Sequence, residues 1–182
     1  MSKAKEIFEL SIKDSEILLS IFCSTSKEKS SESIEVLKRA GLILALTAWE
    51  TYVEDLLVEE ANKRLSILSG SFIGKYFENR LSEELKRFHN PSSEKTIKIF
   101  RDFLDVNIEE GFKFSNFDIQ QSKTQLNELI SKRGNAVHRS KKPSNGQQNM
   151  HLVKKEDLEK AVKFLKGLVT SIDLYVEKAL IK

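Results

Sequence analysis

Residues 34–68, IEVLKRAGLILALTAWETYVEDLLVEEANKRLSIL, decide the fold of this 182-residue chain. No proline interrupts them, and apolar side chains recur along them at helical intervals. These side chains are Leu37, Leu42, Leu44, Leu46, Trp49, Val53, Leu56 and Leu57. The stretch therefore predicts one long helix that forms the backbone of the fold.

The segments before and after it also have apolar residues at helical spacing. Apolar spacing predicts further helices over residues 4–22, 72–88, 94–104, 118–138 and 154–179. A Ser-rich linker is expected over residues 23–33, an ordered loop over 106–117 and a polar loop over 139–149. The expected architecture is all-α: a helical bundle of about five to six helices with up-and-down connections. Residues 1–182 are expected to form a single domain.

Composition narrows the class of protein. The chain is 40% hydrophobic and 31% charged, which is typical of a globular protein and excludes disordered and collagen-like classes. The longest nearly uncharged stretch, residues 40–49, is too short to cross a membrane. The N-terminus lacks the apolar centre of a secretory signal, and the single Cys23 has no partner for a disulfide. A cytoplasmic protein without a bound metal is expected.

Positive charge is concentrated near residue 135. The net charge is only +3, but residues 131–142 contain five bases and no acid. These bases are Lys132, Arg133, Arg139, Lys141 and Lys142. The patch fits a binding surface for RNA, and it equally fits a solvated helix end, where cations favour the negative end of the helix dipole.

Arg133 and His138 are the candidate catalytic pair. RNA cleavage through the 2′-hydroxyl needs a proton-transfer group and a fixed cation on the phosphate, and histidine and arginine supply these without a metal or cofactor. Residues five apart on a regular helix lie about 140° around its axis. Convergence on one phosphate therefore needs a distortion, for which Gly134 is suited, or a second copy of the chain. Asn135 is a candidate to bind the phosphate or orient the imidazole, and an accidental pair of exposed residues remains the alternative.

Three segments of the chain together resemble the HEPN superfamily of helical ribonucleases, and specifically its RiboL-PSP type. The first is ALTAWETYVEDLL, residues 45–57, built around a Trp-Glu pair. The second begins at Asn90-Pro91-Ser92 and continues through a short helix to the loop FKFSNF, residues 112–117. The third is LNELISKRGNAVH, residues 126–138, which resembles the hallmark helix ending in Arg, four to six residues, and His.

The resemblance implies an activity and partners. It implies a homodimer with a composite active site, metal-independent RNA cleavage that leaves a 2′,3′-cyclic phosphate, and a toxin or antiviral-defence role with a possible antitoxin partner. Arg133 matches the phosphate-stabilising arginine and His138 the catalytic histidine. Gly134 stands where many relatives have a polar residue, which leaves the role of Asn135 open. A catalytically inactive module that binds RNA or protein is therefore the alternative, and a purely structural interaction domain is a third hypothesis.

Several residues are candidates for supporting roles. Glu50 is expected either to pair with Arg133 or His138 or to face solvent, because an unpaired carboxylate is costly to bury. Trp49 is expected in the core rather than as a base-stacking platform, whereas the Tyr52 hydroxyl is a candidate for the same polar pocket. Lys132 and Arg139 are candidates for contacts with the RNA backbone.

The remaining candidates have weaker signals. His89 is expected to be a surface residue or a helix cap, and His151 is a candidate to approach the cleft from the loop. The aromatic loop 112–117 either stacks bases or packs as a lid on the bundle.

Overall fold

The computed structural model describes residues 1–25, 31–138 and 155–180, and this part of the chain is an all-α bundle. It contains six α-helices and no strand, apart from one isolated bridge between Phe114 and Phe117. The helices are α1 (Lys3–Thr25), α2 (Ser31–Leu65), α3 (Phe72–Leu85), α4 (Ser93–Leu104), α5 (Ile119–His138) and α6 (Lys155–Leu180). The predicted fold class is confirmed.

Helix α2 is the central element, as its apolar pattern predicted. Its 35 residues span roughly 50 Å at 1.5 Å per residue. Helix α1 lies antiparallel to it, because the Ser15 hydroxyl donates to the Gly41 carbonyl at 2.8 Å while Lys38 lies over the ring of Phe22. Helix α6 packs on both, and the three helices enclose most of the core.

The aromatic loop packs as a lid on the bundle. Phe112 is wholly buried, and the rings of Phe114 and Phe117 stack with their centroids 5.3 Å apart. Both rings also contact Phe164 of α6. The approach depends on Gly167, where a Cβ would lie 2.4 Å from the Phe114 ring. These contacts indicate that the aromatic side chains of the loop pack against the bundle, and they argue against a role in stacking bases.

The linker prediction was wrong at both ends. Residues 23–25 continue α1 and residues 31–33 begin α2, so only residues 26–30 are left between the helices, outside the described part of the chain. Serine lowers helix propensity only modestly, so a Ser-rich stretch does not by itself end a helix. The predicted polar loop also lies outside the described residues.

No helix in the described ranges is long and apolar enough to span a membrane.

Candidate functional site: the Glu50–Arg133 cluster

The Asn90-Pro91 turn is held between α2 and α5. On one side, the buried indole N–H of Trp49 donates to the Pro91 carbonyl at 3.1 Å. On the other side, the Ser93 N–H donates to the Asn127 side-chain carbonyl on α5 at 3.0 Å. The turn therefore fixes the positions of two helices that are far apart in sequence.

Glu50 lies at the centre of this arrangement. Its Oε2 accepts a hydrogen bond from Arg133 Nη1 at 2.6 Å, and its Oε1 accepts the Asn90 N–H at 3.3 Å. Arg133 Nη1 also donates to the Asn90 side-chain carbonyl at 3.0 Å. The Glu50 and Arg133 side chains are only 13% and 19% exposed, so the pair is shielded from water. Of the two expectations for Glu50, pairing with Arg133 is the one that the structure shows.

His89 is a member of this site that the sequence reasoning missed. Its Nδ1 lies 3.6 Å from Glu50 Oε1, whereas Arg133 contacts the other oxygen, and 73% of the His89 side chain is exposed. The expectation of a surface residue is correct, but the neighbouring carboxylate was not foreseen. We refer to Glu50, His89, Asn90 and Arg133 as the Glu50 cluster.

The backbone of Asn90 shows why the turn has this shape. Its φ is +51°, in the left-handed region, where asparagine is tolerated better than most residues. The following Pro91 has no N–H and disfavours helix in the residue before it. The reversal directs both the Asn90 N–H and its side chain at the Glu50–Arg133 pair. Ser92 then caps α4 by accepting the Lys95 N–H.

The pKa values of two neighbouring carboxyl groups, Glu54 and Glu94, are shifted by their surroundings. Burial raises the pKa of Glu54, one turn beyond Glu50, and the negative charge of Glu50 raises it further. Partial burial also works to raise the pKa of Glu94, but hydrogen bonds from its own N–H and from the Ser93 and Asn127 side chains outweigh it and lower that pKa. Glu50 is the carboxylate that contacts Arg133, and it holds the guanidinium as one partner of an ion pair.

Helix α5 is continuous at the position where one of the two predicted routes to convergence required a distortion. Its backbone is helical through His138, and a Cβ added at Gly134 would have no neighbour within 4 Å. The helix therefore continues through Gly134. Residues five apart on a regular helix lie about 140° around its axis, so a continuous α5 favours a second copy of the chain over a local distortion as the route to convergence.

The other predicted residues are distributed as follows. Lys132 Nζ lies 3.4 Å from the Asp157 carboxylate of α6, and Asn135 is half-buried on α5. Tyr52 does not reach the cluster: it is buried, and its hydroxyl donates to the Val169 carbonyl at 3.3 Å. Burial and the nearby carboxylates of Asp173 and Glu59 raise its pKa well above the ordinary tyrosine value. Arg139 and His151 lie outside the described residues.

The described helices, and the ion pair that joins the Trp-Glu segment of α2 to an arginine of α5, fit a HEPN-type domain. The sequence model of the RiboL-PSP-HEPN family matches residues 9–178, nearly the whole chain, so the protein belongs to the RiboL-PSP-HEPN family. No curated protein and no solved structure matches the chain. Among the residues that the structure describes, no group of three or more His, Cys, Asp or Glu side chains is placed to hold a metal ion.

Proposed function

We propose that this protein is a metal-independent endoribonuclease that cleaves RNA through the 2′-hydroxyl and acts as a toxin or antiviral-defence effector. The observation that carries the proposal is the hydrogen bond of 2.6 Å between Arg133 Nη1 and Glu50 Oε2. It fixes a guanidinium one and a half turns before His138 on the same helix. Membership in a family of HEPN-type domains supports the choice of RNA as the substrate.

The proposed reaction requires two proton transfers and one stabilised phosphate. A histidine takes the proton of the 2′-hydroxyl while O2′ bonds to phosphorus; the bond from phosphorus to O5′ breaks, and O5′ receives a proton. The products are a 2′,3′-cyclic phosphate and a 5′-hydroxyl. Arg133 would donate to the phosphate oxygens as negative charge builds up there. His138 is the proposed proton-transfer group, contributed by the second subunit of a homodimer.

The first test is incubation of total RNA with the purified protein in EDTA, followed by end-group analysis. Arg133→Ala and His138→Ala are expected to abolish fragments that end in cyclic phosphate. Arg80→Ala, at an arginine on α3 that is 56% exposed, is the matched control and should cleave as the parent does. RNA left intact by the parent at every pH, or full activity in His138→Ala, would contradict the proposal.

Mixing inactive subunits tests the composite site. In random heterodimers of Arg133→Ala and His138→Ala, one of two sites has both groups intact, so about one quarter of parental activity is expected. No recovery, although native mass analysis shows that mixed dimers form, would place the proton-transfer group within one chain. In that case His89 is the alternative proton-transfer group, because it lies beside Glu50 in the same copy of the chain. Loss of cleavage in His89→Ala would identify it.

An inactive binding module is the second candidate function, and Gly134 is the residue that favours it. Gly134 stands where many members of the resembled superfamily have a polar side chain next to the arginine, so this chain lacks one polar group beside Arg133. This candidate predicts RNA association that weakens steeply with salt, without cleavage products. Growth arrest on expression in cells, relieved by Arg133→Ala, would contradict it and support the toxin role.

A further inference from the structure

The proposed reaction needs two proton transfers, and a second group is required for one of them. Cleavage through the 2′-hydroxyl removes a proton from O2′ and delivers one to O5′. The attacking and leaving oxygens stand roughly in line on opposite sides of the phosphorus, so a single imidazole faces one of them. His138 of the second subunit is proposed for one transfer, and the other needs a group close to Arg133.

His89 and Arg133 share one carboxylate. Arg133 Nη1 donates to Glu50 Oε2 at 2.6 Å, and His89 Nδ1 lies 3.6 Å from Oε1 of the same group. A single carboxylate therefore separates the two side chains, and a phosphate bound by Arg133 comes close to the imidazole. The Glu50 side chain is 13% exposed and that of His89 is 73% exposed, so the imidazole rather than the carboxylate faces an incoming RNA.

Glu50 orients the imidazole of His89. The Nδ1 side of the ring faces the carboxylate, so Nε2, on the other side of the ring, points away from it. A carboxylate behind an imidazole fixes the direction of the ring and pairs with its positive charge when the ring is protonated. The separation of 3.6 Å is longer than a hydrogen bond, and such contacts often tighten when a substrate binds. Nε2 is therefore the atom of His89 that is free to exchange a proton with the RNA.

The backbone around His89 is held in place. Phe88 before it is buried in the core, and Asn90 after it donates its N–H to Glu50 Oε1 at 3.3 Å. Lys95 Nζ donates to the His89 carbonyl at 3.0 Å. A proton-transfer group works best on a fixed backbone, because small displacements of reacting groups reduce the rate by large factors. His89 meets this condition although its side chain is exposed.

We propose that His89 is the second proton-transfer group of this site and protonates O5′, while His138 of the second subunit accepts the proton of the 2′-hydroxyl. This inference rests on the proposed function and adds a residue to it. As O2′ bonds to phosphorus, the bond from phosphorus to O5′ breaks, and O5′ receives the Nε2 proton of His89. The donating role is given to His89 because its protonated ring is the form that pairs with Glu50.

The test compares two RNA oligonucleotides that differ in one atom. Both span a site that the parent protein cuts in total RNA in EDTA, and one of them has sulfur in place of O5′ at that site. A thiolate leaves without receiving a proton, so the sulfur oligonucleotide needs no acid. His89→Ala should cleave the oxygen oligonucleotide about 10²- to 10⁴-fold more slowly than the parent does, and it should cleave the sulfur oligonucleotide at close to the parental rate. His138→Ala should be slow on both.

Two further variants separate proton transfer from positioning. The His89→Gln side chain can still donate to Glu50 but has no proton to transfer, so it should lose as much activity as His89→Ala. Tyr76→Ala, at a ring on α3 that is 66% exposed, is the matched control and should cleave both oligonucleotides as the parent does. Full activity of His89→Ala or His89→Gln on the oxygen oligonucleotide, or an equal loss on both, would overturn this inference alone. A parent that leaves all RNA intact would overturn the proposed function and this inference with it.

Discussion

The ion pair between Glu50 and Arg133 should contribute much more to folding than a surface ion pair does. Arg133 donates to Glu50 at 2.6 Å, and the side chains are 13% and 19% exposed, so removing one partner leaves the other largely shielded from water. Hydrogen bonds to charged groups contribute about 1.5–3 kcal/mol, and breaking a fully buried pair costs about 3–5 kcal/mol. For this partly buried pair we expect a coupling free energy of about 2 kcal/mol.

A double-mutant cycle with Glu50→Gln and Arg133→Gln isolates this coupling. The assay is urea-induced unfolding followed by circular dichroism for the parent, both single variants and the double variant. The matched cycle on the exposed pair of Arg80 and Glu83, at 3.7 Å, should give about 0.3 kcal/mol. Couplings that are equal in the two cycles would refute the reasoning that shielding from water gives the Glu50 pair its strength. A Glu50→Gln protein that folds normally should also lose about tenfold or more in RNA cleavage, because the guanidinium is no longer fixed.

Three further substitutions test single features by thermal unfolding. Gly134→Ala should stabilise the protein by about 0.5–1 kcal/mol, because the helix is regular there and the added Cβ meets nothing; destabilisation would show that Gly134 is needed for a bend. Burial and the charge of Glu50 raise the pKa of Glu54, so its ionised form is disfavoured in the folded state and Glu54→Gln should stabilise slightly at pH 7. This gain should disappear below pH 4, where the parent carboxyl is protonated. Glu59→Gln should instead destabilise the protein at pH 7. Burial works to raise the pKa of Glu59, but hydrogen bonds from Lys63 and from backbone N–H groups outweigh it and lower that pKa. The ionised carboxylate therefore stabilises the folded parent at pH 7, and this stabilisation is lost as the pH falls through the pKa of Glu59. Equal effects of the last two substitutions at pH 7 would contradict both assignments.

The fold followed from the sequence because its helices are long and periodic. Helices α2 and α6 begin and end within a few residues of the positions that their apolar spacing predicted. The linker was the main error, since Ser-rich composition weakens a helix without ending it. The aromatic loop could be predicted as ordered, but its partner Phe164 lies too far along the chain for local pattern to identify.

The candidate site was only partly predictable, for reasons that helix geometry explains. The pairing of Glu50 was expected from the cost of burying a lone carboxylate. Tyr52 was grouped with it, although residues two apart on a helix diverge by about 200° and face opposite sides. The structure places Tyr52 against Val169 of α6 and Glu50 against α5. This separation could have been predicted from the spacing alone.

The contribution of the Asn90-Pro91 turn could not be predicted, because it depends on contacts between residues about forty positions apart. Neither His89 nor Asn90 carries a local signal of proximity to Glu50, yet the turn brings both to its carboxylate. The two hydrogen bonds described for Arg133 both use Nη1, while a guanidinium has five N–H donors in a planar fork. Glu50 and Asn90 can therefore fix the plane of Arg133 while the fork still binds a phosphate. On this reasoning the ion pair is compatible with the proposed role of Arg133 in catalysis, and the partial burial of the pair argues against a mobile surface cation.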